Sequence, residues 1–330
     1  MGQRANIIFV TKDSYELYYN HWCGNTIYRD LFWGVEHALS FIKEQKKVDK
    51  ENGWLNEAWA EGGAVVDTHR KVLLIYAGED LRYEIPLRRM YLKLLAQVWK
   101  GWDIRWANEG IADLAEYVGY PKESLLEEYE EEECNPSFDM PLEKDDMDVI
   151  GSVTFDKNET LIFPLHGYAE EYLFNGKESL NAINRSNGHK ELKLLEWNTN
   201  FPVGGFHIDV VNRSVSFWTA TDCPGLLYKL KPKWTGWKLN WAYDKFETQI
   251  EALNKKIDFY IPTEESLLNR LRSMLLQEYK NRIDLCLLFA DRMAKGGKKV
   301  EVNPWLLESK TLNMDKNIKE HIFDSLELFS

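Results

Sequence analysis

The sequence predicts an α+β fold: a tandem duplication of a β-β-α-β-β-α-β-α unit with mostly antiparallel sheets, closed by C-terminal helices. Three observations carry this. First, Trp99-Lys100-Gly101-Trp102-Asp103-Ile104-Arg105-Trp106-Ala107 matches Trp234-Thr235-Gly236-Trp237-Lys238-Leu239-Asn240-Trp241-Ala242 at five of nine positions, three of them Trp. Tryptophan supplies only 13 of 330 residues, so such a coincidence has odds on the order of one in ten thousand. Second, Gly62-Gly63-Ala64-Val65-Val66-Asp67 matches Gly204-Gly205-Phe206-His207-Ile208-Asp209 upstream, and Pro121-Lys122-Glu123-Ser124-Leu125-Leu126 matches Pro262-Thr263-Glu264-Glu265-Ser266-Leu267-Leu268 downstream, with one insertion. Third, Leu31-Phe32-Trp33-Gly34-Val35-Glu36 aligns with Leu173-Phe174-Asn175-Gly176-Lys177-Glu178, in the same order along the chain, with His21 roughly opposite His166.

Each element follows from its periodicity. Residues 5–10 and 15–19 read as a hairpin turning through Lys12-Asp13, followed by an irregular loop to Trp33. Val35, Ala38, Leu39 and Ile42 share one helical face. A second hairpin, residues 64–66 and 72–77, turns through Asp67-Thr68-His69-Arg70. Leu87, Met90, Tyr91, Leu94 and Val98 form the clearest helical stripe, with Pro86 suited to its first turn. Trp102, Ile104 and Trp106 alternate as one face of a strand, and Ile111, Leu114, Ala115 and Val118 make a helix after it. The second copy repeats this with shorter loops: strands near 151–155 and 160–163, a helix after Gly176, a hairpin across 209–213, a strand at 237–242, and a helix carrying Phe246, Ile250, Leu253 and Ile257. It lacks room for a counterpart of the 87–98 helix. About five strands with helices on one face are expected in each copy. The boundaries read as a first repeat at 1–134, a linker at 135–150, a second repeat at 151–278, and a helical extension at 279–330; a long helix near 264–293 crosses into the extension and a final helix lies near 315–328.

Composition narrows the function. With 44% hydrophobic and 28% charged residues, the chain is an ordinary globular sequence. The apolar stretch near the amino terminus is too brief for a signal-peptide core or a membrane span, and Asn6 stands where myristoylation needs Ser or Thr; a soluble, cytoplasmic protein is expected. Cys23, Cys134, Cys223 and Cys286 form no C-x-x-C and read as reduced thiols, so neither a thiolate metal site nor any other cofactor is expected. Residues 1–150 hold 17 Lys+Arg and 29 Asp+Glu, which accounts for the whole net charge of -12. That sign repels phosphates and anionic lipid, excluding nucleic acid and membrane as partners of the first repeat and favouring a protein partner with a basic surface. Part of the excess is the run 127–133, read as a solvated helix end.

No phosphate loop, H-E-x-x-H, G-x-S-x-G, dinucleotide fingerprint or EF-hand is present. The most irregular segment, Asn20-His21-Trp22-Cys23-Gly24-Asn25-Thr26 with Glu36-His37 beyond it, crowds small, polar and thiol groups where no periodicity demands them. His21, Cys23, Glu36 and His37 are the candidate catalytic residues, because a histidine that lowers the Cys23 pKa creates a nucleophile; structural histidines and a buried cysteine are the favoured reading of the segment, with a nucleophile and a metal or non-covalent site as the alternatives. Trp22 and Asn25 are candidate binding residues. Asp67 and Asp209 enter their hairpins at matched positions, as turn caps or as a carboxylate pair. Trp102 and Trp237 are stacking platforms or core. The leading expectation is a binding or interaction protein with the acidic first repeat as recognition surface. The competing one is a hydrolase or transferase with its site in residues 20–37 or in the cleft between repeats. A third role assigns self-association into a homo-oligomer to the C-terminal helices.

Overall fold

The computed structural model describes residues 3–127, 138–139, 141, 143–197, 200–277, 282–302, 304 and 314–326. The acidic run past Glu127, Cys134 and residues 135–137, 140 and 142 of the expected linker lie outside the described residues. Two compact units emerge: Met1–Glu79, Leu87–Glu127 and Thr263–Ser330 form one, and Asp80–Pro86 with Glu128–Pro262 form the other. The whole is mixed α+β, built on two mixed sheets.

In chain order the elements up to residue 117 are β1 (Ala5–Val10), β2 (Tyr15–Asn20), α1 (Ile27–Asp30), α2 (Val35–Lys43), β3 (Lys46–Val48), β4 (Gly62–Asp67), β5 (Val72–Tyr76), α3 (Glu79–Tyr83), α4 (Ile85–Val98), β6 (Asp103–Trp106) and α5 (Ile111–Tyr117), all of the first unit except α3 beyond Glu79 and the first two residues of α4. The strand order is β3-β2-β1-β4-β5-β6. β1 pairs antiparallel with β2, β2 with β3, and β4 with β5, but β1 runs parallel to β4 and β5 to β6. The expectation of a mostly antiparallel sheet is therefore corrected to a mixed one. Tight turns can join only antiparallel neighbours, whereas the helical crossover between β5 and β6 carries the chain back to the end where β5 began, which parallel pairing requires. Every residue of β4 and β5 is buried, so both faces of the central strands are covered, not one. The backbone packs closely enough at the start of β4 that a Cβ on Gly62 would lie 2.2 Å from the Gly24 carbonyl oxygen.

The second unit holds β7 (Val149–Thr154), β8 (Thr160–Leu165), α6 (Ala169–Phe174), β9 (Leu192–Lys193), β10 (Gly204–Asp209), β11 (Ser214–Thr219), α7 (Leu226–Leu230), β12 (Lys238–Trp241), α8 (Glu247–Ala252) and β13 (Ile257–Asp258). Its five-stranded sheet, β12-β11-β10-β7-β8, has the neighbours and senses of β6-β5-β4-β1-β2. The registers correspond too: Gly62 faces Ala5 and Asp67 faces Val10, as Gly204 faces Val149 and Asp209 faces Thr154. Trp99 and Trp234 are both fully buried, and each indole N–H donates to a carbonyl at the same place in its unit, Leu31 at 2.9 Å and Leu173 at 2.8 Å. Two expectations are corrected here. The segment after Gly176 is a 3-10 turn over Gly176–Ala182, and α8 stops at Ala252 because Asn254 and Lys255 turn left-handed (φ 51° and 63°), which places Ile257 in the short β9–β13 pair. One face of this sheet also carries a polar core. Gln249 donates to the carbonyls of Ile150 (2.9 Å) and Phe206 (2.7 Å) and to Ser152 Oγ (3.1 Å), and accepts from the Trp218 indole (2.8 Å). Ser152 Oγ lies 3.0 Å from His207 Nδ1, and burial pushes the His207 pKa down.

The C-terminal helices are α9 (Glu264–Leu276), α10 (Arg282–Lys295) and α11 (Lys316–Asp324). The region read as one helix over 264–293 thus divides in two. Thr263 caps α9 by accepting from the Ser266 N–H, and Leu267, Leu268, Leu271, Met274 and Leu275 form its buried face. α10 exposes Leu287, Leu288, Phe289 and Met293.

Candidate functional site

The loop after β2 is held by its own polar groups. Asn20 Oδ1 accepts from the N–H of Trp22 (2.7 Å) and Cys23 (2.9 Å), its amide donates to Gln45 Oε1 (2.7 Å), and the Cys23 carbonyl accepts from Thr26 and Ile27. Asn25 donates to Glu79 Oε1 at 3.1 Å. Cys23 is only 4% exposed. The His21 ring nitrogen Nδ1 lies 2.6 Å from the Tyr19 hydroxyl, and its ring meets Trp22 edge-on at 4.8 Å. Burial, then the nearby Arg4 guanidinium, hold the His21 pKa down, so the imidazole is neutral at pH 7. Arg4 itself stacks over the exposed Trp59, 4.4 Å from the ring centre.

Glu36 and His37 belong to a different setting, the first turn of α2. Glu36 is exposed, and its carbonyl accepts from Ser40. His37 is half-buried; burial and then the Lys319 ammonium of α11 lower its pKa. The charges acting on His21 and on His37 are thus different ones. The same ammonium reaches two residues that sequence reasoning passed over. It lies 5.4 Å from the ring centre of Trp33, which is buried, and it acts on Asp30 at the end of α1. Burial lifts the Asp30 pKa to about 7, while Lys319 and then Arg29 pull it back. Around them Phe323 of α11 packs on Phe32 (6.4 Å between centroids), Phe32 on Tyr91 (5.8 Å), and the Tyr91 hydroxyl donates to the Tyr28 carbonyl at 2.8 Å. A carboxyl, an indole and an imidazole so disposed around an ammonium suit the recognition of a cationic side chain.

Asp67 is a turn cap. Its Oδ1 accepts from the N–H of His69 (2.9 Å) and Arg70 (2.8 Å), and its Oδ2 from the Tyr117 hydroxyl (2.8 Å). It also lines a shallow hollow of about 410 Å³ with Lys12, Lys50 and Arg70. Asp209 caps the matching turn through Asn212. Trp102 and Trp237 are half-buried and lean edge-on against the buried Trp99 and Trp234, at 4.8 and 5.1 Å. A second cluster missed by the sequence lies in the other unit: Glu170 at the start of α6, its pKa raised by burial to about 7, accepts from the Cys223 thiol at 3.8 Å, beside the Arg82–Asp222 ion pair. Burial pushes the Cys223 pKa well up, so that thiol is not a nucleophile at neutral pH.

Compared with protein-family profiles, curated proteins and solved structures, the chain matches none. Among the described residues no group of three or more His, Cys, Asp and Glu is placed to hold a metal ion, and no helix is long and apolar enough to cross a membrane. Charge does not single out the unit built on the first sheet: its residues hold 26 Lys+Arg and 28 Asp+Glu, against 15 and 25 in the other unit. The acidic half of the sequence and the first folded unit are not the same set of residues.

Proposed function

We propose that this chain is an interaction protein without catalytic chemistry that binds a partner through that partner's basic side chains. The observation that carries it is the arrangement of Asp30, Trp33 and His37 around the Lys319 ammonium. An indole face and a desolvated carboxyl together attract a cation more strongly than either does in water. The recognition surface is thus a specific face of α1 and α2, in place of the general acidity expected of residues 1–150. The matched strand order, register and tryptophan contacts support descent of the two sheets from one duplicated unit. The free thiols of Cys23, Cys223 and Cys286 suit a reducing, cytoplasmic setting, and the exposed apolar side chains of α10 suit self-association. The test is binding of a lysine decapeptide to the full chain: Asp30→Asn weakens it severalfold, whereas neutralising the exposed Glu123 leaves it unchanged. Equal losses in both variants would mean non-specific charge attraction and would discard the reading.

The competing enzymatic reading has the Tyr19–His21 pair in its favour, a neutral imidazole in contact with a phenol. Turnover that survives alanine at His21, Cys23 and His37, each in turn, removes it.

A further inference from the structure

We propose that α11 is an internal competitor, a strap whose Lys319 fills the cation site of α1 and α2 in place of a partner's lysine. This rests on the reading of that site as a binding surface. α11 buries little of itself. Of its side chains only Phe323 is buried; Lys319, Glu320 and Ile322 are partly so, while Lys316, Asn317, Ile318, His321 and Asp324 are exposed. Its attachments include Lys319 over Trp33, Phe323 on Phe32, and an ion pair from Asp324 to Arg272 of α9, whose guanidinium also lies 5.2 Å from the Phe323 ring centre. A nine-residue helix does not persist alone in water, so it is helical only while docked. A departing α11 would uncover a buried indole and a buried phenyl ring, and would take away the ammonium whose charge acts on Asp30 and His37. The covered surface therefore has the composition of a binding patch, aromatic at its centre, and the residue over its indole, whose ammonium also acts on Asp30, carries the charge the partner is expected to present. Because the strap is tethered, its effective concentration is high, and it reduces the apparent affinity of any competitor by the fraction of time it is docked.

The test uses a fluorescently labelled peptide with the sequence of residues 315–326, added to the full chain. Against a Lys319→Ala, Phe323→Ala double variant, whose own strap is released, the peptide should bind at least about tenfold more tightly than to the unaltered chain. Adding Asp30→Asn to the double variant should weaken that binding again. Equal binding to both chains, or none to a double variant whose circular dichroism and melting are native, overturns the proposal. If the double variant melts early, Lys319→Ala alone is used with the same criteria, because it removes the charge and keeps the Phe323 anchor. The two readings fail separately. A lysine decapeptide that depends on Asp30 but binds no better after strap release leaves the cation site standing and removes the strap. Peptide 315–326 binding to the released chain while the decapeptide does not bind supports the strap and removes the basic partner.

Discussion

Asp30→Asn tests the electrostatics of the cation site directly. Burial lifts this carboxyl from the ordinary 3.8 to about 7 even with Lys319 and Arg29 acting against the rise. The unfolded chain therefore releases the proton near pH 4 and the folded chain near pH 7. Between those values the folded state holds more protons, so stability falls as pH rises across the window and levels off above it. At about 1.4 kcal/mol per unit the full penalty is about 4 kcal/mol, reduced to about 2–3 kcal/mol because Asp30 keeps part of its surface in water. Asparagine cannot ionise and escapes the fall. Urea unfolding of both proteins at pH 6 and pH 8 isolates the effect, because differences in packing or hydrogen bonding are the same at both values. The Asp30→Asn protein should gain about 1 kcal/mol on the parent over that interval. His37, which senses the same ammonium and whose pKa is lowered, changes stability in the opposite sense but does so in both proteins. Parallel behaviour of the two proteins from pH 6 to pH 8 refutes the argument.

Gln249→Ala strips partners from the Ile150 and Phe206 carbonyls, Ser152 and the Trp218 indole at once; it should cost about 3 kcal/mol in urea unfolding, and a loss under about 1 kcal/mol would show that the network is replaceable. Gly62→Ala and Gly101→Ala form a contrasting pair. The first drives a Cβ into the Gly24 carbonyl and should prevent native folding as judged by near-ultraviolet circular dichroism, whereas the second meets nothing within 4 Å and should cost about 1 kcal/mol for its φ of 78° alone.

Features that recur locally in the chain were legible. The Trp99–Ala107 and Trp234–Ala242 segments, the Gly-Gly pairs and the Asp67 and Asp209 turns all occupy corresponding places in their sheets, since rare residues at fixed spacing reflect local packing needs. Strand sense was not legible, because alternation of side chains says which face is buried and nothing about which neighbour lies alongside. β3, three residues with two lysines, lacks any apolar signature. The cation site stayed hidden for a different reason: Asp30 and Lys319 are separated by most of the chain, and an aspartate at a helix end or a lysine on an amphipathic helix is commonplace until the two are seen to share a surface. The loop at Asn20–Thr26 stood out correctly as irregular, yet its irregularity is accounted for by Asn20 capping the turn and Gly24 lying against the Gln3 and Arg4 backbone.

The two compact units are not consecutive in the chain. Asp80–Pro86 leaves the first to join the second, where Ile85 is fully buried with Phe201, Trp218, Ala220, Ala242 and Phe246, and Thr263–Ser330 returns to complete the first. No single cut releases either unit whole: residues 128–262 alone would open a hole where Ile85 belongs, and residues 1–127 alone would leave the partners of α9 and α11 bare. On the ribosome, the unit whose first strand emerges earliest is the one that must wait longest, until the last helix has cleared the exit, before its packing can close.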